Sequence, residues 1–312
     1  MYPTLTLRLK PTPAIARWTT RAALFALSLT LVALIAHRFG TMPTLTAFNL
    51  IIVSILTAAL TLLLAVVSSV IIWRQGRTGA GRAAFGFVVA GGLICWPVAF
   101  LPTFNSLPRL NDVTTDTASP PKFIELAKER RPGMNAVAYP VRFAALQAAN
   151  YPDLKPMTIE RPVDDAFEIV RDALSRQKLT IVSEKAPEGR TSKSGLIEAV
   201  DRTLIFGFYD DVAIRVDGDG TRSRIDLRSA SRFGLHDLGR NAERTRRLMR
   251  EIVARLEATV STVAGERFQR GRLITKKALE AVQKSRAQRK SQDPSRSGAP
   301  REPGSRGQPP AR

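Results

Sequence analysis

Four aspartates and one arginine cluster are the residues whose types and spacing could do chemistry. Asp112 and Asp116 bracket two threonines in DVTTDT. Such a run offers oxygen ligands to a hard cation, and the same residues brace a connector by bonding backbone N–H groups. Asp210 and Asp211 follow GFY. Paired carboxylates are the material of general acid/base hydrolysis, although turn chemistry and ion pairs with nearby arginines use them equally well. The third feature is the stretch 225–248, IDLRSASRFGLHDLGRNAERTRRL. Alternation along its strand puts Ile225, Leu227, Ser229 and Ser231 on the core side and Asp226, Arg228, Ala230 and Arg232 on the outward side. Asp237 and Asn241 then open an arginine-rich helix. Guanidinium forks beside a helix N-terminus suit phosphate or carboxylate, which makes Arg228, Arg232, Ser229, Ser231, Asp237 and Asn241 candidate ligand-binding residues. The competing use is a ladder of salt bridges to Asp226, Glu198 and Asp237.

Other chemistries find little material. The chain has two histidines and one cysteine, so a histidine-rich metal site and a Cys-His nucleophile are both excluded. His37 adjoins an apolar run, and His236, beside Asp237, reads as a neighbour of the helix cap. Cys95 lies inside another apolar run, where hydrocarbon opposes a thiolate, and it reads as packing. GDGTRS at 218–223 lacks the lysine and the strand-to-helix setting of a phosphate loop and reads as a turn. No cofactor and no metal are expected, and an enzyme is the less favoured class.

These residues hang from a membrane anchor. The net charge of +20 points to an anionic partner, but its distribution speaks against nucleic acid. Three apolar runs, at 22–39, 45–73 and 83–101, fill the N-terminal third, and each is long enough to cross a hydrocarbon core of about 30 Å. A cleaved signal peptide does not fit the first run, which has no small-residue cleavage site before the second. Arg8, Lys10, Arg17 and Arg21 precede the first run, and Arg74, Arg77 and Arg82 lie between the second and third. Only Arg38, with His37, marks the other side, so the N-terminus is expected in the cytoplasm and the C-terminal domain outside it. Trp18, Trp73 and Trp96 fall near the ends of the runs, at interfacial depth. Gly91, Gly92 and Pro97 are expected to permit a bend or a close helix contact.

The expected organisation is a cytoplasmic segment (1–21), a three-span anchor (22–101), an extended and helical connector (102–154), an α/β domain (155–260) and a basic, largely disordered tail (261–312). Prolines at 102, 108, 120 and 121 keep the start of the connector extended. KFIELAKERR and VRFAALQAANYPDLKP add two short helical stretches. In PVDDAFEIVRDALSRQ, Val163, Ala166, Phe167, Val170 and Leu174 recur at helical spacing. LTIVSEK, SGLIEAV, TLIFGFYDDVAIRV and SRIDLRSAS read as strands, with DGDG at 217–220 as a hairpin signal. Val212, Ile214 and Val216 belong to the core face, with Arg215 outward beside Asp226. After Gly234, the positions Leu238, Ala242, Thr245, Met249, Ile252 and Leu256 make one apolar stripe. The fold class is therefore a three-helix membrane anchor plus an α+β domain, in which a four- or five-stranded antiparallel sheet packs with two helices.

NDVTTDTASPPKF, YPDLKP, GLIEAVDRTLIFGFYDDVAIRV and RIDLRSASRFGLHDLGRNAERTRRL together resemble the membrane-anchored bacterial form of the family called domain of unknown function 1499. The resemblance spans about 109–258 and implies shared positions that include Asp112, Thr114, Asp116, Glu198, Gly207, Asp210, Asp211, Arg215, Arg228, Arg232, Gly234, Asp237, Gly239 and Asn241. It implies no activity. Asn111 stands where the resemblance would place a histidine, and the basic tail lies outside the pattern. The expected function is binding or scaffolding of an anionic envelope ligand (a lipid headgroup, a glycan or a partner protein) at the inner membrane. The alternative is an envelope hydrolase using the paired aspartates, with or without a divalent cation.

Overall fold

The computed structural model describes residues 10–187 and 194–259. Arg8 and the tail 261–312, for which disorder is expected, lie outside the described residues. The chain divides into two compact units, Met1–Val253 and Ala254–Arg312, and of the second only 254–259 are described.

The apolar runs form helices α1 (Ala14–Arg38), α2 (Thr44–Gln75) and α3 (Ala80–Val98), with α4 (Leu101–Ser106) continuing α3 after a short break. Ala14–Arg38, Thr44–Gln75 and Ala80–Ser106 are long and apolar enough to cross a membrane. Their packing inverts that of a water-soluble core. Ala26, Ala58 and Ala90 meet in the centre of the bundle, while Phe25, Leu31, Leu56, Leu63 and Val88 face outward. Small residues let the backbones approach where lipid removes any hydrophobic drive between helices. Hydroxyls tie the seam: Thr19 bonds Ser68 at 3.2 Å, and Ser54 donates to the Ala26 carbonyl at 2.7 Å. The close contact on α3 falls at Gly86, where an added Cβ would stand 2.2 Å from Thr19 Cγ2. Gly91 and Gly92, expected to serve this purpose, have nothing within 4 Å of such a Cβ.

The domain's sheet is built on a four-stranded antiparallel meander: β3 (Thr180–Lys185), β4 (Ser194–Arg202), β5 (Tyr209–Gly218) and β6 (Ser223–Ser231). Two short segments, β1 (Asp112–Thr114) from the connector and β2 (Met157–Ile159) from the start of the domain, pair with the two ends of β6, giving six strands in all. Each is three residues long, too short to carry an alternation, which is why the sequence suggests only four or five strands. Helix α7 (Val163–Arg176) buries the expected stripe against β3, β4 and β5. Gly195 permits this approach, since a Cβ there would sit 2.6 Å from the Phe167 ring. The last helix, α8, covers residues 240–259.

Two expectations are corrected. Leu238 does not belong to the α8 stripe: it takes a left-handed backbone, φ 55°, in the turn before the helix. Leu248 instead joins the buried Ala242 and Ile252. Nor does the outward face of β6 meet solvent. The connector, with α5 (Glu125–Lys128) and α6 (Phe143–Asn150), folds back over the sheet, and Phe123 and Leu126 pack on Val200, Ala213 and Ala230. Glu198, fully buried on this face, accepts the backbone N–H groups of Ile124, Glu125 and Leu126 at 2.8–3.2 Å and so fixes the cover in place.

Among the described residues, domain and anchor touch at places that include the α1–α2 hairpin and the end of the third span. The β4–β5 turn rests on the α1–α2 hairpin, where His37 Nδ1 donates to the Phe206 carbonyl at 2.5 Å and Phe208 stacks on Phe48 at 5.0 Å. Arg202 also donates to the Arg38 carbonyl. On α4 the Phe104 ring lies 4.8 Å from His236, and just past it Leu107 presses against Gly239.

Candidate functional site

Strand alternation sends Asp210 and Asp211 to opposite faces of the sheet, so they form no catalytic pair. Asp210 faces α8 and accepts Arg244 Nη2 at 2.6 Å. The same guanidinium reaches Asp201 at 2.8 Å, Ser229 Oγ at 2.8 Å and Asn241 Oδ1 at 2.6 Å. Asn241 in turn donates to Ser231 Oγ and to the Asn111 carbonyl. Asp211 faces the connector, where Arg130 Nη2 lies at 2.8 Å and Arg232 Nε at 2.7 Å. Arg232 also pairs with Glu129 at 2.7 Å. Burial pushes the Asp211 carboxyl above its usual range, against the pull of Arg130 and Arg232. Burial works to lower Arg232 and Arg244, and their carboxylate partners outweigh it, so both end higher than usual.

Asp112 and Asp116 are likewise committed. Asp112, buried, takes both prongs of Arg228, at 3.1 and 2.7 Å. Arg228 further donates to the carbonyls of Pro121 and Val137 and lies 4.5 Å from the Phe123 ring centre. Burial raises the Asp112 carboxyl and Arg228 opposes it. Asp116 caps its own turn by accepting from Ala118 and Ser119, and pairs with Arg224 at 2.7 Å. Asp226, opposite Arg215 as its register requires, holds that arginine at 2.7 Å. Among the described residues, no three acidic, histidine or cysteine side chains are placed to hold a metal ion.

The strand-to-helix corner is built for turning. Gly234, Leu238 and Gly239 take positive φ of 89°, 55° and 76°. Asp237 closes the helix start itself, its two oxygens accepting from Gly239 N and Asn241 N at 2.8 and 2.9 Å. Those N–H groups are therefore not open to an outside anion. Burial raises the Asp237 carboxyl, and the two N–H bonds pull it back only in part. His236 Nδ1 accepts from Leu238 N at 2.9 Å. Asn111, in the position where a histidine is expected, donates to the Gly234 carbonyl at 2.7 Å and pins the corner from below.

The open feature beside this network is a cleft of about 320 Å³ between connector and corner. Asn111, Asp112, Asn135 and Ser231 form its polar lining, and Arg109 and Arg142 stand along it. Both arginines are exposed and rest on aromatic rings, Arg109 on Phe104 at 5.4 Å and Arg142 on Phe143 at 5.4 Å. Neither has a carboxylate partner among the described residues. Of the ten residues expected at a site, Asp112 and Ser231 line this cleft; the others lie in the ion-pair and hydrogen-bond network around it. Arg109 and Arg142 were not legible as site residues, because 33 positions separate them and only the folded connector brings them together.

Comparison with known proteins agrees with this picture of the domain. Residues 112–252 match the model of a family described as protein of unknown function (DUF1499), from β1 into α8. The three apolar helices lie outside the match. No curated protein and no solved structure matches the chain.

Proposed function

We propose that the protein is a membrane-anchored binding module, and that the cleft along Arg109 and Arg142 receives the phosphate or carboxylate of an envelope lipid, glycan or partner protein. One observation carries this reading: the interior arginines are spent on carboxylates, whereas Arg109 and Arg142 both line a cleft whose lining has no counter-charge except Asp112, already held by Arg228. A planar guanidinium resting on a ring keeps its donors free for an oxyanion. Arg228, Arg232, Ser229, Asp237 and Asn241 act here by holding the wall, and Ser231 lines it. Arg17, Arg21, Arg74, Arg77 and Arg82, gathered at one end of the anchor, support a reading with a cytoplasmic N-terminus and a domain outside the inner membrane. Arg109 follows the third span by three residues, which sets the cleft near headgroup level. No observation favours the hydrolase, since each of its four aspartates faces an arginine.

The test uses full-length protein in zwitterionic detergent, titrated calorimetrically with dihexanoyl phosphatidylglycerol, dihexanoyl phosphatidylcholine and a uronic-acid oligosaccharide. Binding of an anionic probe, weakened at least tenfold by R109E and by R142E with the resistance to proteolysis unchanged, supports the reading. Absence of binding by all probes, or equal binding by the variants, overturns it.

A further inference from the structure

A second site lies within the anchor, at its other end. Helices α1 and α2 leave between them a groove of about 660 Å³ on the outward, lipid-facing side. Trp18 and Arg21 line one part of it, and Phe25, Leu60 and Leu64 continue the lining toward Thr57 in the middle of α2. The pairing of Thr19 with Ser68 and of Thr30 with Ser54 sets the two helices antiparallel. The groove therefore runs from the basic end of the anchor inward. Arg21 is seven residues past the start of α1, or about 10 Å along it. Its guanidinium lies 5.2 Å from the Trp18 ring centre. No aspartate or glutamate occurs in the first 111 residues, so the anchor cannot neutralise Arg21 from within. An exposed arginine where the helix enters hydrocarbon is positioned to meet an anion at the interface. A phosphate at the head of the groove supplies the anion, and apolar walls below it accept an acyl chain.

We infer that the α1–α2 groove holds one anionic glycerophospholipid, its phosphate on Arg21 and one acyl chain against Phe25, Leu60 and Leu64. Trp18 sits at headgroup depth and backs the guanidinium. The site is distinct from the domain cleft and does not rest on any reading of that cleft. Generic attraction between basic residues and anionic lipid would engage Arg82, at the same end of the anchor, as readily as Arg21. The groove makes the difference between them.

Native mass spectrometry of the full-length protein, extracted in detergent and incubated with equimolar phosphatidylglycerol and phosphatidylcholine, reads the inference directly. The wild type is expected to retain one phosphatidylglycerol in preference to phosphatidylcholine. R21M should lower that occupancy at least tenfold, and R82M should leave it unchanged. L60W, which fills the groove while sparing Arg21, should also expel the lipid. Resistance of the sheet domain to proteolysis checks that each variant is folded, and L60W keeps the test informative if R21M is not. Equal loss in R21M and R82M, retention in L60W, or a dimer that L60W dissociates, showing the groove occupied by a second copy of the chain, would each overturn the inference.

Discussion

Replacing Arg244 with alanine should be among the most damaging single changes in the domain. The side chain is buried, 2 % exposed, and of its four bonds of 2.6–2.8 Å one stays within α8, at Asn241, and three join α8 to β4, β5 and β6. Its loss strands Asp210, whose side chain is 6 % exposed, more than Asp201, which at 23 % can rehydrate. Removing one partner of a buried ion pair costs about 3–5 kcal/mol, and most of that belongs to Asp210. R244K keeps the charge but cannot span four acceptors, and should lose about 2 kcal/mol. The double variant R244A/D210A removes the stranded charge and should recover about 2 kcal/mol relative to the sum of the two single changes. Pulse proteolysis in urea on the full-length protein in detergent gives these values. Tryptophan emission would not, because Trp18, Trp73 and Trp96 all lie in the anchor. An R244A variant within about 1 kcal/mol of wild type, or strictly additive losses, would refute the account of this network as a closed set of mutually dependent bonds.

Asp237 gives a pH test with a definite sign. Its folded-state carboxyl is raised by burial, so the folded domain holds that proton more tightly than the unfolded chain. Its contribution is full below the unfolded carboxylate range and is lost as pH rises through the folded value. The stability of wild type relative to D237N should therefore increase as pH falls from 7 toward that range, and a decrease would contradict the burial argument. Gly239→Ala should cost about 1–3 kcal/mol, since φ is 76° and the new Cβ would stand 2.9 Å from Leu107 Cδ1; an unchanged unfolding midpoint would show that the corner relaxes freely. Glu198→Ala leaves three N–H groups without their acceptor and should lose about 3 kcal/mol, with faster hydrogen exchange at 124–126 as the local readout. In a C95S background, a cysteine at Arg77 should label only after the membrane is permeabilised and one at Lys155 should label at once. The reverse pattern would invert the proposed topology.

Much of the fold is readable where a period is long enough to count. The apolar runs, the α7 stripe and the β5–β6 hairpin declare themselves through uninterrupted apolar length, a repeat of three and four, and alternation about a turn. The connector has no period, and so nothing in PTFNSLPRLNDVTTDTASPPKF tells that it covers a sheet face and contributes a strand. That hidden cover is also why Arg228 and Arg232 read as outward from sequence. One feature of the site was available and goes against the paired-aspartate idea. With Val212, Ile214 and Val216 on the core face, Asp210 shares that face and Asp211 does not. Leu238 misled the stripe because the chain must reverse direction there, and a capping Asp237 with Gly239 settles its backbone before helix periodicity begins.

The contacts between domain and anchor have a mechanical meaning. A body fastened at separate points loses most of its rigid-body freedom, so the sheet acts as a strut between the α1–α2 hairpin and the end of the third span. Phe206, Phe208 and Leu107 are the apolar faces of those joints, and cutting the chain after residue 107 would unmask the first two as wet, sticky surface. The isolated domain is then a different thermodynamic object from the anchored one. Packing among the anchor helices, by setting how far the hairpin stands from the third span, becomes a variable in the domain's own stability.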